Sequence, residues 1–255
     1  MLTQEQINET WNIRADNYNK YVREELLTDR PAKWLERIKA NAPAGNPLRI
    51  LDAGCGPGFF CVLLSKEGHD VTGIDGSERM LGHARENALS QGVSPTLIKG
   101  DFGKLPFGDN TFDLVISRNV THTIREHLKV YGEWNRVLKP GGVLLIFDAN
   151  WHLPYQPGPV REEAIRRERQ CLEQYSKGFT YDGSYEYIDS ELDPPEYQVF
   201  GSAIRPDFDC GILRQLPFEE ISFERDVTEE LWSEKEKVTY GATPLYMLRA
   251  MKKQA

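Results

Sequence analysis

The chain has 255 residues, 40% hydrophobic and 27% charged, an ordinary composition for a globular protein and enough for one α/β domain with an elaboration. Its formal net charge of -8 at pH 7 disfavours a general nucleic-acid binder, because such proteins normally carry a basic surface. No apolar run approaches the roughly 20 residues that span a bilayer, and the N-terminus lacks the order of a signal peptide, so we expect a cytoplasmic protein.

Residues 1–47 are predicted to form a helical segment. Trp11, Ala15 and Tyr18 recur at intervals of four and three, as they would along one face of a helix, and the apolar pattern continues to about residue 40. Proline and glycine residues then interrupt the pattern before the first strand. We expect this segment to close a site on the domain that follows.

Strands and helices alternate over residues 48–150, the predicted core domain. The predicted strands lie at residues 48–51, 70–75, 96–101, 112–117 and 143–148, and the predicted helices at about 59–67, 77–91 and 125–138. Residues 139–142, with the sequence Lys-Pro-Gly-Gly, indicate the end of the last helix. Such alternation predicts a parallel sheet that is covered by helices on both faces.

The composition changes after residue 150. Residues 151–208 are rich in tyrosine, proline and acidic residues, with one charged helix from Arg161 to about Tyr175. We expect this insert to cap the substrate, because ligands of open α/β sheets bind beyond the carboxyl ends of the strands. Residues 209–255 hold two further strands without a long helix between them, at about 220–227 and 244–251, which would complete the sheet as an antiparallel pair.

The glycine-rich loop at residues 51–58, Leu-Asp-Ala-Gly-Cys-Gly-Pro-Gly, is the most informative segment. Alternating glycines between a strand and a helix let backbone amides approach a ligand, although a plain turn is the alternative. Asp75 ends the next strand, where a carboxylate can accept hydrogen bonds from ribose hydroxyls. The dinucleotide pattern G-x-G-x-x-G fails, because Phe59 occupies the third glycine position and Asp52 would repel a pyrophosphate. The loop therefore favours a nucleoside that carries an amino acid over NAD.

Several segments in a fixed order carry a resemblance to a known family. They are Asp52-Ala53-Gly54-Cys55-Gly56-Pro57-Gly58, Gly73-Ile74-Asp75 with Ser77 and Met80, Gly100-Asp101-Phe102, Phe112-Asp113-Leu114-Val115 and Arg136-Val137-Leu138-Lys139-Pro140-Gly141-Gly142. This order resembles the class I S-adenosylmethionine-dependent methyltransferases over about residues 48–148, particularly the small-molecule branch similar to ubiquinone- and sterol-methylating enzymes. The resemblance implies a Rossmann-like three-layer sandwich with a mostly parallel seven-stranded sheet and one antiparallel strand. It also implies S-adenosylmethionine as cofactor and S-adenosylhomocysteine as product.

The resemblance further implies a set of cofactor-binding residues. Asp52 would act near the amino group of the cofactor, Asp75 would hold the ribose, and Asp101 would accept a hydrogen bond from the adenine. The whole predicted set is Tyr18, Asp52, Gly54, Gly56, Gly58, Asp75, Gly76, Met80, Asp101, Phe102, Ser117 and Asn119. Two alternatives stay open: acids at such positions also cap helices and turns, and Tyr18 could serve only to pack the N-terminal segment.

The reaction implied is transfer of a methyl group to a small-molecule acceptor by in-line displacement, for which the protein chiefly aligns the reactants. A general base is needed only where the acceptor must lose a proton. His122 and His152 follow the fourth and fifth strands and are the candidate catalytic bases, although each could equally be structural.

The acceptor is not identified by the sequence. Aromatic and acidic residues in the insert favour an amine-bearing or cationic acceptor, while a solvated acidic loop or a dimer contact is the alternative. A protein methyltransferase and a non-catalytic S-adenosylmethionine-binding module remain alternative functions, and the protein could be a monomer or a homodimer. The four cysteines lack CxxC spacing, which indicates reduced, structural thiols and no metal site. Capture of a soft metal or metalloid substrate by Cys61, Cys171 and Cys210 is the alternative.

Overall fold

The computed structural model describes residues 3–175, Phe200 and residues 203–254. Within these ranges the sheet has seven strands: β1 Arg49–Ala53, β2 Asp70–Asp75, β3 Thr96–Lys99, β4 Phe112–Arg118, β5 Leu138–Asp148, β6 Phe218–Glu224 and β7 Tyr246–Lys252. The strand order is β3-β2-β1-β4-β5-β7-β6, and β7 runs antiparallel to both of its neighbours while the other pairs are parallel. The predicted sheet, with its single antiparallel strand, is confirmed.

Helices cover both faces of the sheet. They are α1 Gln4–Leu26, α2 Arg30–Asn41, α3 Phe59–Lys66, α4 Glu78–Ser90, α5 His127–Val137, α6 Pro159–Tyr175, α7 Asp207–Leu213, α8 Thr228–Leu231 and α9 Glu234–Tyr240, with short 3-10 turns at Thr121–Thr123 and Leu153–Tyr155. Successive residues of β5 point to opposite faces. Leu145 and Phe147 join one apolar core, while Leu144 and Ile146 join the other, so the three-layer sandwich is confirmed.

Several boundaries differ from the predicted ones by a few residues, and two of these differences have a clear local cause. The N-terminal helical segment is broken into α1 and α2, because Pro31 in the first turn of α2 favours the start of a new helix. Strand β5 begins at Leu138, five residues before the predicted start, because Leu138 already pairs with Phe112 and the register then shifts at a bulge. The glycines at residues 141–142 therefore lie inside the strand, although helix α5 does end before them, at Val137.

Helix α1 lies across the carboxyl ends of the strands and is held to α4. Ser77 Oγ lies 2.6 Å from Asn12 Oδ1, and the Arg79 guanidinium pairs with the Asp16 carboxylate. These contacts place α1 directly over the loop that follows β1. Within the described ranges, no helix has the length and apolar character needed to cross a bilayer.

Candidate active site

A cleft lies at the carboxyl ends of β1, β2 and β4, beneath α1. It encloses about 780 Å³, part of which is open to solvent. The structure brings most of the predicted cofactor-binding residues together in its wall: Tyr18, Asp52, Gly54, Gly56, Asp75, Gly76, Met80, Phe102 and Asn119. These residues come from five separate stretches of the chain, so the cleft depends on the whole α/β fold.

The glycine-rich loop has a shape that side chains would not allow. Gly54 has a φ of 77°, and a Cβ atom there would lie 2.5 Å from Cγ2 of Val120. Its amide donates to the carbonyl of Ile74 at 2.9 Å, and the amide of Gly56 donates to Oδ2 of Asp75, also at 2.9 Å. The loop is thus folded back onto β2, and its small residues form the floor of the cleft.

Asp75 is held by backbone amides at the end of β2. Its Oδ1 accepts a hydrogen bond from the amide of Ser77 at 2.8 Å, and Oδ2 accepts the bond from Gly56. Burial raises the pKa of Asp75, and these backbone hydrogen bonds oppose that rise. Each carboxylate oxygen has a second lone pair, so Asp75 can accept further hydrogen bonds from a ligand with neighbouring hydroxyls.

Asp52 is buried at the end of β1, with 3% of its surface exposed. Burial raises its pKa to about 7; the nearby Asp75 adds to the rise, while a hydrogen bond from the Cys61 thiol at 3.3 Å opposes it. A carboxyl group in this state gains most from a neighbouring cation, which favours its charged form. Asp52 is therefore suited to a positively charged ligand group.

Three residues of the predicted cofactor set do not line the cleft. Gly58 caps α3 with a φ of 84° and packs against α4. Ser117 is buried and donates to the carbonyl of Ala53 at 2.9 Å, which braces β4 against β1. Asp101 is exposed and accepts a hydrogen bond from the amide of Gly103 at 2.7 Å, so it caps a turn, as the alternative interpretation allowed.

Helix α1 contributes more of the cleft wall than the sequence indicated. Ile7, Asn8 and Val22 line it in addition to Trp11 and Tyr18. Most of these positions fall at multiples of about one helical turn, so extending the periodic pattern of Trp11 and Tyr18 along α1 would have found them. The result is a roof that is largely apolar and aromatic.

Arg118 is a cleft residue whose charge is already compensated. Its guanidinium makes two contacts with the Glu25 carboxylate, at 3.0 and 3.1 Å, and lies 4.4 Å from the ring centre of Trp34. Glu25 itself is fully buried. The uncompensated charges at the glycine loop are therefore the carboxylates Asp52 and Asp75, which would repel a diphosphate and attract a cation.

His122 lies beside the cleft, in the turn after β4. Val120 and Thr123, on either side of it, line the cleft, whereas the histidine ring itself is buried behind them. Its Nδ1 atom lies 3.0 Å from Oδ1 of Asp148, and its amide donates to Oδ2 of the same carboxylate at 2.9 Å. No local sequence pattern pairs these two residues, although the acid at the end of the predicted fifth strand was a signal that could have been used. The catalytic role of His122 stays a prediction.

The structure does not bring His152, the second candidate base, to the cleft. Its ring is fully buried, stacks on Phe200 at 4.9 Å and contacts the carbonyl oxygen of Ala203 through Nε2 at 2.9 Å. Burial lowers the pKa of His152 to about 4, so the ring is neutral at pH 7 and donates to that carbonyl. This placement fits the structural alternative.

Comparison with known proteins finds that the part of the chain carrying the glycine-rich loop is similar to methyltransferases. Residues 51–146 match the sequence profile of a family described as a methyltransferase domain. The malonyl-[acyl-carrier protein] O-methyltransferase of Erwinia pyrifoliae is 43% identical over 110 residues, which are 43% of this chain and 40% of the relative. A demethylmenaquinone methyltransferase of Staphylococcus aureus is 35% identical over 120 residues, 46% of this chain and 49% of the relative. The matched region spans less than half the length of these relatives.

The fold is also shared with a solved structure. Phosphoethanolamine N-methyltransferase 2 of Haemonchus contortus, in complex with S-adenosyl-L-methionine, superimposes with a TM-score of 0.58 at 21% identity, covering 86% of this chain and 52% of that one. At this identity the likeness concerns the fold alone. Residues 51–146 are thus similar in sequence to a methyltransferase domain, and the chain shares its fold with a solved methyltransferase.

Proposed function

We propose that this protein transfers a methyl group from S-adenosylmethionine to a small-molecule acceptor and releases S-adenosylhomocysteine. The observation that carries the proposal is a pair of carboxylates, the buried Asp52 and the half-buried Asp75, which face one cleft beneath an aromatic roof, in a region that matches a methyltransferase domain. Both curated relatives are named as methyltransferases, and the solved neighbour contains S-adenosyl-L-methionine.

The residues of the cleft fit this cofactor. Asp75 would hold the ribose hydroxyls, Asp52 would face the ammonium group, and Met80 and Phe102 would line the adenine pocket. Asn119 adds a further observation. Its backbone is left-handed, with a φ of 55°, and its Oδ1 atom is buried without a hydrogen-bond partner among the described residues. A ligand N–H or O–H would satisfy this orphan acceptor.

The cofactor supplies a methyl group on a positively charged sulfur, which needs no further activation. The protein's own contribution is to align the acceptor with the methyl group and to exclude water from the cleft. Helix α1 covers the cleft, and the Trp11 and Tyr18 rings, 5.9 Å apart, offer aromatic faces that attract a cation. Arg118 and Glu25 neutralise each other, so this pair adds no net charge that would oppose the binding of a cation.

The acceptor is proposed to carry an amine or another cationic group. The support comes from the aromatic roof of the cleft, where the Trp11 and Tyr18 rings can attract a cation. The acidic and tyrosine-rich part of the insert, which also motivated this expectation, lies outside the described residues.

Calorimetry with S-adenosylhomocysteine and with NAD⁺ tests the cofactor assignment. We expect micromolar binding of S-adenosylhomocysteine and no binding of NAD⁺; the opposite preference would overturn the assignment. Turnover is then followed as S-adenosylhomocysteine release with a panel of amines, phenols, carboxylic acids and thiols, and with a peptide mixture. Binding without turnover on any acceptor would favour the non-catalytic module, and turnover on peptides alone would favour a protein methyltransferase.

A further inference from the structure

A second cavity lies between the start of α5 and helix α7. It encloses about 810 Å³, part of which is open to solvent, and its lining shares no residue with the lining of the cleft. Leu128, Phe208 and Ile212 form the apolar part of the lining, and Arg125 and Lys129 add two cationic side chains. A lining of this kind suits a ligand that has an apolar body and a charged group.

The guanidinium of Arg125 carries two donors that nothing uses. Its Nε and Nη2 atoms are buried, and neither has a hydrogen-bond partner. The two atoms form one edge of the planar group, whose N–H bonds match two oxygens of one carboxylate or phosphate. Within the described ranges, Arg125 is the one arginine with both of these atoms buried and unpaired. Buried donors without an acceptor are costly, so an oxyanion placed here would stabilise the protein.

Other arginines of the chain show what this edge binds. Among the described residues, five of them direct Nε and Nη2 together at the two oxygens of a single carboxylate: Arg37, Arg79, Arg136, Arg166 and Arg205. In Arg205 the two atoms lie 2.8 and 2.9 Å from the oxygens of Asp209. No described carboxylate holds Arg125 in this way. Its partner would therefore come from a ligand.

The charges at the cavity favour an anion. Arg125, Lys129 and Glu126 are its charged lining residues and leave one net positive charge, although the whole chain carries -8. Lys129 Nζ lies 3.1 Å from Glu126 Oε2, but both side chains are exposed, and exposed pairs of this kind are weak. His127 is neutral, because burial lowers its pKa to about 4. Glu126 makes no side-chain hydrogen bond to the first turn of α5, so the amides there add to the positive potential.

We propose that this cavity binds a small organic anion, whose carboxylate or phosphate group is held by Nε and Nη2 of Arg125 and whose apolar body packs against Phe208 and Ile212. The site is separate from the cofactor cleft, and the proposal does not depend on the proposed function. Thr123 lines the cleft two residues before Arg125, a span of at most about 7 Å, so the anion would bind close to the cofactor. Access requires side chains to shift, and the exposed Leu128 and Lys129 can change rotamer rapidly.

Calorimetry with phenyl phosphate and with benzoate, on the full-length protein with and without S-adenosylhomocysteine, tests the site. We expect both anions to bind with a Kd of about 1 mM or lower, whereas phenol, which has the ring without the charge, should not bind. Arg125→Gln should weaken the binding of both anions by about 10-fold or more. The matched control is Arg85→Gln, which removes the same charge from an exposed position of α4 and should bind as the wild-type protein does.

Two further measurements separate the Arg125 edge from simple charge attraction. Arg125→Lys keeps the charge but loses the two parallel donors, so it should bind phenyl phosphate several-fold more weakly than the wild-type protein; it also carries the test if Arg125→Gln does not fold. Phenyl phosphate should raise the Tm of the wild-type protein and of Arg85→Gln, but not that of Arg125→Gln.

Three results would overturn the proposal: no binding of either anion, equal affinity in the wild-type protein and in both Arg125 variants, or displacement of phenyl phosphate by S-adenosylhomocysteine. The last result would place the anion in the cofactor cleft. Failure of S-adenosylhomocysteine itself to bind would refute the proposed function alone, because binding of phenyl phosphate is measured without it as well.

Discussion

At the scale of single residues, the cleft is defined by where each carboxylate finds its hydrogen-bond donors. Asp75 receives backbone amides on both oxygens, whereas Asp52 receives one thiol and is otherwise enclosed. The two acids are therefore suited to different parts of one ligand, hydroxyl groups for Asp75 and a cation for Asp52. These differences lead to two measurements.

The first measurement compares Asp75, at the end of β2, with Asp70, at the start of the same strand. Replacing Asp75 with alanine should weaken S-adenosylhomocysteine binding by about 10- to 100-fold, because two hydroxyls lose a charged acceptor. Asp70→Ala, at the exposed start of β2, is the control and should bind as the wild-type protein does. Calorimetry measures both, and equal affinities for the two variants would contradict the assignment of Asp75.

The second concerns pH and Asp52. Its pKa of about 7 means that this carboxyl is protonated below pH 7 in the free protein, and a bound ammonium group favours the charged form. Binding must then release a proton, so affinity for S-adenosylhomocysteine should fall up to about tenfold per unit as pH drops from 7 to 5 and stay level just above 7. Asp52→Asn should bind weakly with a flat profile between pH 5 and 7. A flat profile in the wild-type protein would contradict the assignment of Asp52 to the ammonium group.

At the scale of elements, the fold follows from local signals more directly than the site does. Strand and helix positions were predictable because apolar periodicity and glycine punctuation are local, and so was the capping of α4 by Ser77. Asp52 and Asp75 were predictable for the same reason, since each ends a strand. Glu25 and Arg118 are 93 residues apart, and Asp148 and Arg205 are 57 apart. No local pattern pairs them, because only the folded sheet brings their elements together.

Replacing one glycine in the glycine-rich loop and one in α4 should change the stability of the protein in opposite directions. Gly54→Ala combines a left-handed backbone with a clash against Val120, and should cost about 2 kcal/mol or more. Gly82→Ala, inside α4 with open space around it, should instead add about 0.5–1 kcal/mol, because alanine favours helix. Thermal unfolding should place the two variants on opposite sides of the wild-type Tm. A destabilised Gly82→Ala or an unaffected Gly54→Ala would refute this account.

At the scale of the whole molecule, a buried charge network joins distant parts of the chain. Glu25 of α1 pairs with Arg118 at the end of β4 and lies 3.5 Å from Arg30 of α2. Arg30 in turn pairs with Glu236 of α9, which also accepts a hydrogen bond from the Tyr21 hydroxyl. The roof over the cleft is thereby tied to the C-terminal part of the fold.

Removing one member of this network should be costly. Glu25→Gln leaves two buried guanidinium groups without their shared carboxylate and should reduce the free energy of unfolding by about 3–5 kcal/mol. Its neighbour Glu24 is exposed, and Glu24→Gln should change that free energy by less than about 0.5 kcal/mol. Urea denaturation gives both values. Comparable stability for the two variants would show that the network adds little.

The position of β7 has a consequence for how the protein is made. This strand is the seventh in sequence, yet it pairs with β5 on one side and β6 on the other. Until it leaves the ribosome, a nascent chain that has already assembled β1 to β5 presents the hydrogen-bonding edge of β5, whose residues 143–148 are all buried in the finished protein. That exposed apolar edge is where newly made chains would associate with one another, so the period between the emergence of β5 and that of β7 is the stage at which the protein most needs a chaperone.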